Sequence, residues 1–172
     1  TIFFTDPPYG IINPKRVEGF PGKMMYGGCN VFKYDPKTKL LVALATDMER
    51  PNGIALSPNE SHLYVSNTGD TKYIRRYEID KNLNISKPVQ FAKSDPEHVF
   101  DGFRFDARNN LWTSCGKGVA CYAPSGEQIG YIKMPELVSN IDFGGVEGNI
   151  LFITASTSLY MTNLNIKGAK YK

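Results

Sequence analysis

The chain has 172 residues, 41% hydrophobic and 22% charged, with 20 basic and 17 acidic side chains mixed along it for a net charge of +3. That length holds one domain with a real core, and the composition is that of a folded rather than a disordered chain. No basic cluster is long enough for a nucleic-acid footprint, since Lys167, Lys170 and Lys172 read as a solvated tail, and no apolar run is long enough to span a membrane. Neither nucleic acid nor a membrane is therefore an expected partner.

Taken from the start, "TIFFTDPPYG" opens inside a strand and has no initiating Met. The expectation is a single domain over residues 1–172, incomplete at its N-terminus. A signal peptide upstream stays open. The Gly-rich stretch from Gly10 to Gly28 is the largest insertion and predicts a surface or lid loop. Beyond it, short apolar runs alternate with Gly, Pro, Asn and Asp turns, and sustained helical periodicity is absent, which predicts an all-β chain.

The runs repeat. "IFFTD" from Ile2, "LYVSN" from Leu63, "LWTSC" from Leu111 and "LFITA" from Leu151 each pair an aliphatic with an aromatic residue before smaller ones. Each is followed by a strand carrying another aromatic, at Tyr34, Tyr77, Tyr122 and Tyr160. Three are preceded by a segment that begins on a polar residue, Asn52, Asp101 or Asn140, ten or eleven positions before the aliphatic–aromatic pair. Such repeats at irregular spacing predict a β-propeller with unequal loops.

In a propeller, equivalent positions at the heads of the innermost strands point towards one axis. Three oxygen-bearing side chains there suit a hard cation such as Ca²⁺, and a set without His or Cys argues against zinc or copper. The plainer reading is an Asx turn, because Asn52-Gly53 and Asp101-Gly102 are common turn pairs, and Asn140 is a natural strand-start hydrogen bonder.

The remaining chemistry-bearing residues each carry two readings. Asp6 ends a strand and either reaches the site or shapes the turn before Pro7. Tyr9 and Tyr26 flank the long loop and either stack on a sugar or are ordinary loop aromatics. Asn67 ends the "LYVSN" strand and contacts substrate or the shell behind a metal, or neither. His98 lies three residues before Asp101 and is catalytic or merely a loop residue. Trp112 fills a core slot. Cys115 and Cys121 could meet across a hairpin, but buried thiols are the expected state for Cys29, Cys115 and Cys121. Free thiols lean towards a reducing compartment such as the cytoplasm. No G-x-S-x-G elbow is present, which disfavours serine-hydrolase chemistry.

"FTDPPYG", "RPNGIALSPNESHLYVSNT", "FDGFRFDARNNLWTSCGKGVACYAPSGEQIG" and "SNIDFGGVEGNILFITASTSLY" resemble the senescence-marker-protein/gluconolactonase/luciferin-regenerating enzyme family, in its gluconolactonase-like branch, from Ile2 to about Gly168. The resemblance implies a six-bladed propeller, of which this chain carries about four blades from the C-terminal part. It implies a divalent cation, usually Ca²⁺, with Zn²⁺, Mn²⁺ or Mg²⁺ as alternatives. It implies hydrolysis of a small-molecule lactone such as gluconolactone to the acid. The family's "PNG" Asn and "DG" Asp, both metal ligands, match Asn52 and Asp101, and Asp101 is also the candidate general base. A first-blade Glu and an upstream Asn of the family have no counterpart here. A non-catalytic ligand- or protein-binding propeller, or a promiscuous esterase or organophosphate hydrolase, are the alternatives.

Overall fold

A computed structural model describes residues 1–12, 22–95 and 97–171 of the chain. The described strands form four antiparallel sheets, each a run of consecutive strands. The first contains β1 (Ile2–Asp6), β2 (Asn30–Asp35) and β3 (Leu40–Ala45), and the second β4 (Pro51–Leu56), β5 (His62–Asn67), β6 (Tyr73–Glu78) and β7 (Val89–Lys93). The third contains β8 (Phe100–Phe105), β9 (Leu111–Cys115), β10 (Gly118–Tyr122) and β11 (Gln128–Lys133), and the fourth β12 (Val138–Gly144), β13 (Ile150–Ala155) and β14 (Leu159–Asn163). These are propeller blades, and the all-β expectation holds. One short helix, α1 (Tyr9–Ile12), interrupts the predicted Gly10–Gly28 loop, of which residues 13–21 lie outside the described residues.

Turn chemistry explains the meander. Asp80 accepts from the backbone N–H of Asn82 and Asn84 at 2.8 and 2.9 Å, and Asp106 repeats this with Arg108 and Asn110 at 2.8 and 2.9 Å. Each carboxylate thereby closes a hairpin that the chain must enter through a left-handed residue, Leu83 or Asn109.

The repeated aliphatic and aromatic residues become the contacts between blades. Val31, Leu63, Val65 and Tyr77 pack between the first two sheets. Tyr64, Ile74, Phe91, Phe103, Phe105 and Leu111 pack between the second and third, with Tyr64 edge-on to Phe105 at 4.9 Å and to Phe91 at 5.1 Å. Val119, Ile141, Phe143 and Leu151 join the third to the fourth, where Trp112 stands edge-on to Phe143 and donates from Nε1 to Asp106 at 2.9 Å. Each such side chain contributes roughly 1.5–3 kcal/mol by burial. The two three-stranded sheets expose Ile2, Leu159 and Met161 on flanks that in a closed ring meet another blade.

The C-terminal reading changes in part, and the expected buried thiols are observed. The basic C-terminal stretch is docked through its backbone, while the Lys167 and Lys170 side chains stay exposed. Ala107 donates to the Lys167 carbonyl at 2.9 Å, Gly168 to the Gly148 carbonyl at 2.9 Å, and Lys167 and Lys170 pair with Glu147 and Asp142 at 3.2 Å; Lys172 lies outside the described residues. The hairpin register sets Cys121 opposite Trp112 and Val119 opposite Ser114, so Cys115 and Cys121 do not face each other. All three thiols are buried and free, and burial pushes Cys115 up to about 11 and Cys121 up to about 12.

Candidate active site

The three innermost strands share one irregularity. Pro51 pairs with Asn67 and Ile54 with Val65, Phe100 with Cys115 and Phe103 with Thr113, Val138 with Ala155 and Asn140 with Thr154. In each case the inner strand carries one residue more than its partner. Such bulges bend a strand and re-aim its side chains. They fall on Asn52-Gly53, on Asp101-Gly102 and on Ser139 beside Asn140.

Hydroxyls from the adjacent strands hold these bulges. The fourth residue of each repeated run is Thr5, Ser66, Ser114 or Thr154. Thr5 donates to the Asn52 carbonyl at 2.7 Å, and Thr154 to the Asn140 carbonyl at 3.2 Å. Ser114 Oγ accepts from the Asp101 N–H at 3.0 Å and donates to the Gly102 carbonyl at 3.3 Å. Ser66 Oγ reaches the Asp101 carbonyl at 3.3 Å. The peptide groups on both sides of Asp101 are thus held by two buried serines. Gly53 is required by the same packing, since a Cβ there would lie 1.9 Å from the Asp101 carbonyl oxygen.

This brings Asn52 and Asp101 together across two blades. The Asp101 carboxyl sits above its ordinary range because burial penalises its charge, and a side-chain hydrogen bond from Asn52 offsets part of that rise. A carboxylate that is desolvated and incompletely compensated is poised to take a proton or a cation. An amide donating through its nitrogen keeps its oxygen as an acceptor. One carboxylate and one amide oxygen are hard donors and fit part of a Ca²⁺ or Mg²⁺ shell. Among the described residues, no cluster of three His, Cys, Asp or Glu side chains is placed to hold a metal. The two residues fit such a cation as part of its shell.

Asn140 belongs to the third bulge. It is exposed, its Oδ1 accepts from the Ile141 N–H at 2.9 Å, and it lies against Gly102, where a Cβ would come within 2.0 Å of that oxygen. Asn67 is 1% exposed, and its amide accepts from the Arg50 N–H at 2.8 Å and donates to the Thr71 carbonyl at 2.7 Å. Both ends serve the backbone, so Asn67 holds a loop. His98 packs its ring over Gly116 and against Tyr131, with centroids 6.3 Å apart. It occupies the place that a carboxylate fills in the flanking blades, where Glu49 accepts from the Asp70 N–H and Glu136 from the Thr157 N–H, both at 2.7 Å. Tyr9, on α1, hydrogen-bonds through its hydroxyl to Thr68. Asp6 is exposed at the end of β1, one residue past Thr5, and Tyr26 is exposed and edge-on to Phe32.

Comparison with known proteins shows what the chain is similar to. A family model described as the SMP-30/Gluconolactonase/LRE-like region matches residues 2–157. A gluconolactonase of Zymomonas mobilis is 36% identical over 165 residues, covering 90% of this chain and 45% of that protein. A solved gluconolactonase from Xanthomonas campestris superposes with a TM-score of 0.83 at 32% identity, over 96% of this chain and 52% of that one. The calcium-binding protein regucalcin from Agrobacterium tumefaciens, 20% identical, shares the fold with a TM-score of 0.69 over 83% of this chain and 54% of that one. The chain spans about half the length of the curated relatives it matches.

Proposed function

Because the chain belongs to the SMP-30/gluconolactonase/LRE-like family, we propose that it forms part of a divalent-cation-dependent lactone hydrolase that opens sugar lactones such as gluconolactone to the acid. The observation that carries this reading is the Asn52–Asp101 pair, set on adjacent bulged strands with a carboxyl held above its ordinary range. The gluconolactonase relatives support the substrate class, and the calcium-binding neighbour agrees with the cation.

Asn52 and Asp101 would supply two of the cation's oxygen ligands, the amide without cancelling its charge. When bound, the cation supplies Lewis-acid polarisation of the lactone carbonyl. Asp101 is the candidate general base. Its carboxylate takes one proton from water as the water oxygen bonds to the carbonyl carbon. The bond from that carbon to the ring oxygen then breaks, and the ring oxygen takes back the proton held by Asp101, leaving a hydroxy acid and the carboxylate restored. A carboxylate shared with a cation is a weaker base, so the ligand role is the primary one.

The test is gluconolactone hydrolysis by the full-length protein after chelation and again after Ca²⁺ is restored. Activity should vanish and return, and Asp101→Ala should lose both cation affinity and turnover. Undiminished turnover in that variant would remove Asp101 from the chemistry.

A further inference from the structure

The fourth sheet fills its bulge differently from the second and third. In those two, the first bulged residue carries the oxygen-bearing side chain and the second is glycine, Asn52-Gly53 and Asp101-Gly102. In the fourth sheet the order is reversed. Ser139 stands in step with Asn52 and Asp101, and Asn140 in step with the two glycines. The Ser139 hydroxyl turns back to its own blade, 3.0 Å from the Thr154 hydroxyl. Asn140 instead reaches sideways to the third sheet. A Cβ on Gly102 would lie 2.0 Å from Asn140 Oδ1, 2.3 Å from its Cγ and 2.8 Å from its Nδ2. The whole amide therefore lies over Gly102, the residue that follows Asp101.

The partners of Asn140 fix which end of its amide is which. Oxygen is the atom that accepts from the Ile141 N–H at 2.9 Å. The Asn140 carbonyl is held by the Thr154 hydroxyl at 3.2 Å. The nitrogen is left with two N–H donors and, among the described residues, no acceptor. Asn67 is different, since its nitrogen is spent on the Thr71 carbonyl at 2.7 Å. Asn140 is also exposed, so its donors are within reach of a ligand. An amide whose oxygen and backbone are already held loses little freedom when its nitrogen finds a partner.

Asn52, Asp101 and Asn140 follow one another on the neighbouring inner strands β4, β8 and β12. In the lactone-hydrolase reading, on which this inference rests, the substrate carbonyl belongs with Asn52 and Asp101. A donor on the far side of Asp101 then meets the rest of the ring. In a sugar lactone that part bears hydroxyls, each able to accept a hydrogen bond. We infer that Asn140 donates from Nδ2 to a ring hydroxyl of the lactone and thereby favours polyhydroxylated lactones over unsubstituted ones.

The test compares δ-gluconolactone with δ-valerolactone, which lacks the hydroxyls, in the full-length protein. The ratio of their kcat/KM values should fall about fivefold in Asn140→Ala, the loss expected for one neutral hydrogen bond. Asn140→Asp keeps an oxygen for the Ile141 N–H and removes the donor, which separates the contact from the fold. Its added charge acts on both lactones alike and cancels in the ratio, which should fall as far. A ratio within about twofold of wild type in both variants overturns the inference. In parallel, gluconolactam, whose ring amide resists hydrolysis, is titrated into ¹⁵N-labelled wild type. The side-chain N–H₂ pair that Asn140→Ala deletes should shift with gluconolactam and stay in place with δ-valerolactam. If the wild type hydrolyses neither lactone but this pair shifts with gluconolactam alone, the lactonase reading fails and the Asn140 contact stands. If the pair does not shift, the contact falls whatever the turnover.

Discussion

Removing the Ser114 hydroxyl tests whether the bulge is held as the geometry says. Ser114 is fully buried, accepts from the Asp101 N–H at 3.0 Å and donates to the Gly102 carbonyl at 3.3 Å. Alanine leaves that N–H without its partner in a strand too irregular to offer another. The Gly102 carbonyl keeps a long contact from Thr113 at 3.5 Å. One orphaned buried donor costs about 1–3 kcal/mol, and the weakened carbonyl adds a fraction of that. Ser114→Ala should therefore lose about 2–3 kcal/mol, a large share of an ordinary stability of about 5–15 kcal/mol. Ser66→Ala should lose about 1 kcal/mol, because its contacts to the Asp101 and Gly53 carbonyls are long, at 3.3 and 3.5 Å. Since the two hydroxyls hold the two sides of one residue, the double variant should depart from additivity by about 0.5 kcal/mol or more. Urea midpoints at constant slope for the four proteins measure all three quantities. A Ser114→Ala loss under about 0.5 kcal/mol, with cation affinity unchanged, would show that the clamp is not what places Asp101.

Three further outcomes follow from the same geometry. Asp101 is held above its ordinary value by burial, so the folded state keeps its proton longer than the unfolded one, and stability falls as pH rises through the folded value. In chelator, Asp101→Asn should be more stable than wild type at pH 7 and equal to it below the ordinary carboxylate range; lower stability at pH 7 would sink this. Glu136 is held down to about 2 by hydrogen bonds from Tyr160, Ser158 and the Thr157 backbone, against an ordinary 4.5. Its contribution is present above 4.5 and lost as pH falls towards 2, so thermal melts of Glu136→Gln should be flatter than wild type across that window. Gly53→Ala forces a Cβ against the Asp101 backbone oxygen at 1.9 Å, whereas Gly102→Ala meets the Asn140 side chain at 2.0 Å, which can swing away. The first should cost more by about 1 kcal/mol or more in denaturant unfolding, and equal costs would mean that the blades shift freely.

The repeat was readable because a propeller writes each blade as an aliphatic–aromatic pair, preceded in three of the four by a polar residue ten or eleven positions earlier. That pattern placed Asn52, Asp101 and Asn140 at equivalent positions; the register keeps Asn52 and Asp101 in step but sets Ser139 beside them and Asn140 in step with Gly53 and Gly102. The bulges were not readable. A bulge is a mismatch between two strands, and neither strand shows it alone. Their trace in the sequence is the hydroxyl at the fourth place of each run, Thr5, Ser66, Ser114 and Thr154, which passes for ordinary β-propensity until its partner is known.

A polar side chain near a site can also serve the backbone. Asn67 lies one residue past Ser66, yet both ends of its amide bond to loop peptides. His98 stands three residues before Asp101, as Glu49 stands three before Asn52, and both positions pack on a glycine of the next hairpin, Gly116 and Gly69. The repeat places His98 at the position of these loop supports. The two residues left facing each other, Asn52 and Asp101, differ from these in having backbone groups already held by hydroxyls from the adjacent strands. Their side chains are thereby released from the hairpin duties that occupy Asn67, Glu49 and Glu136. In a repeat protein whose equivalent positions mostly serve the backbone, that release is the structural mark that separates a candidate site from another turn.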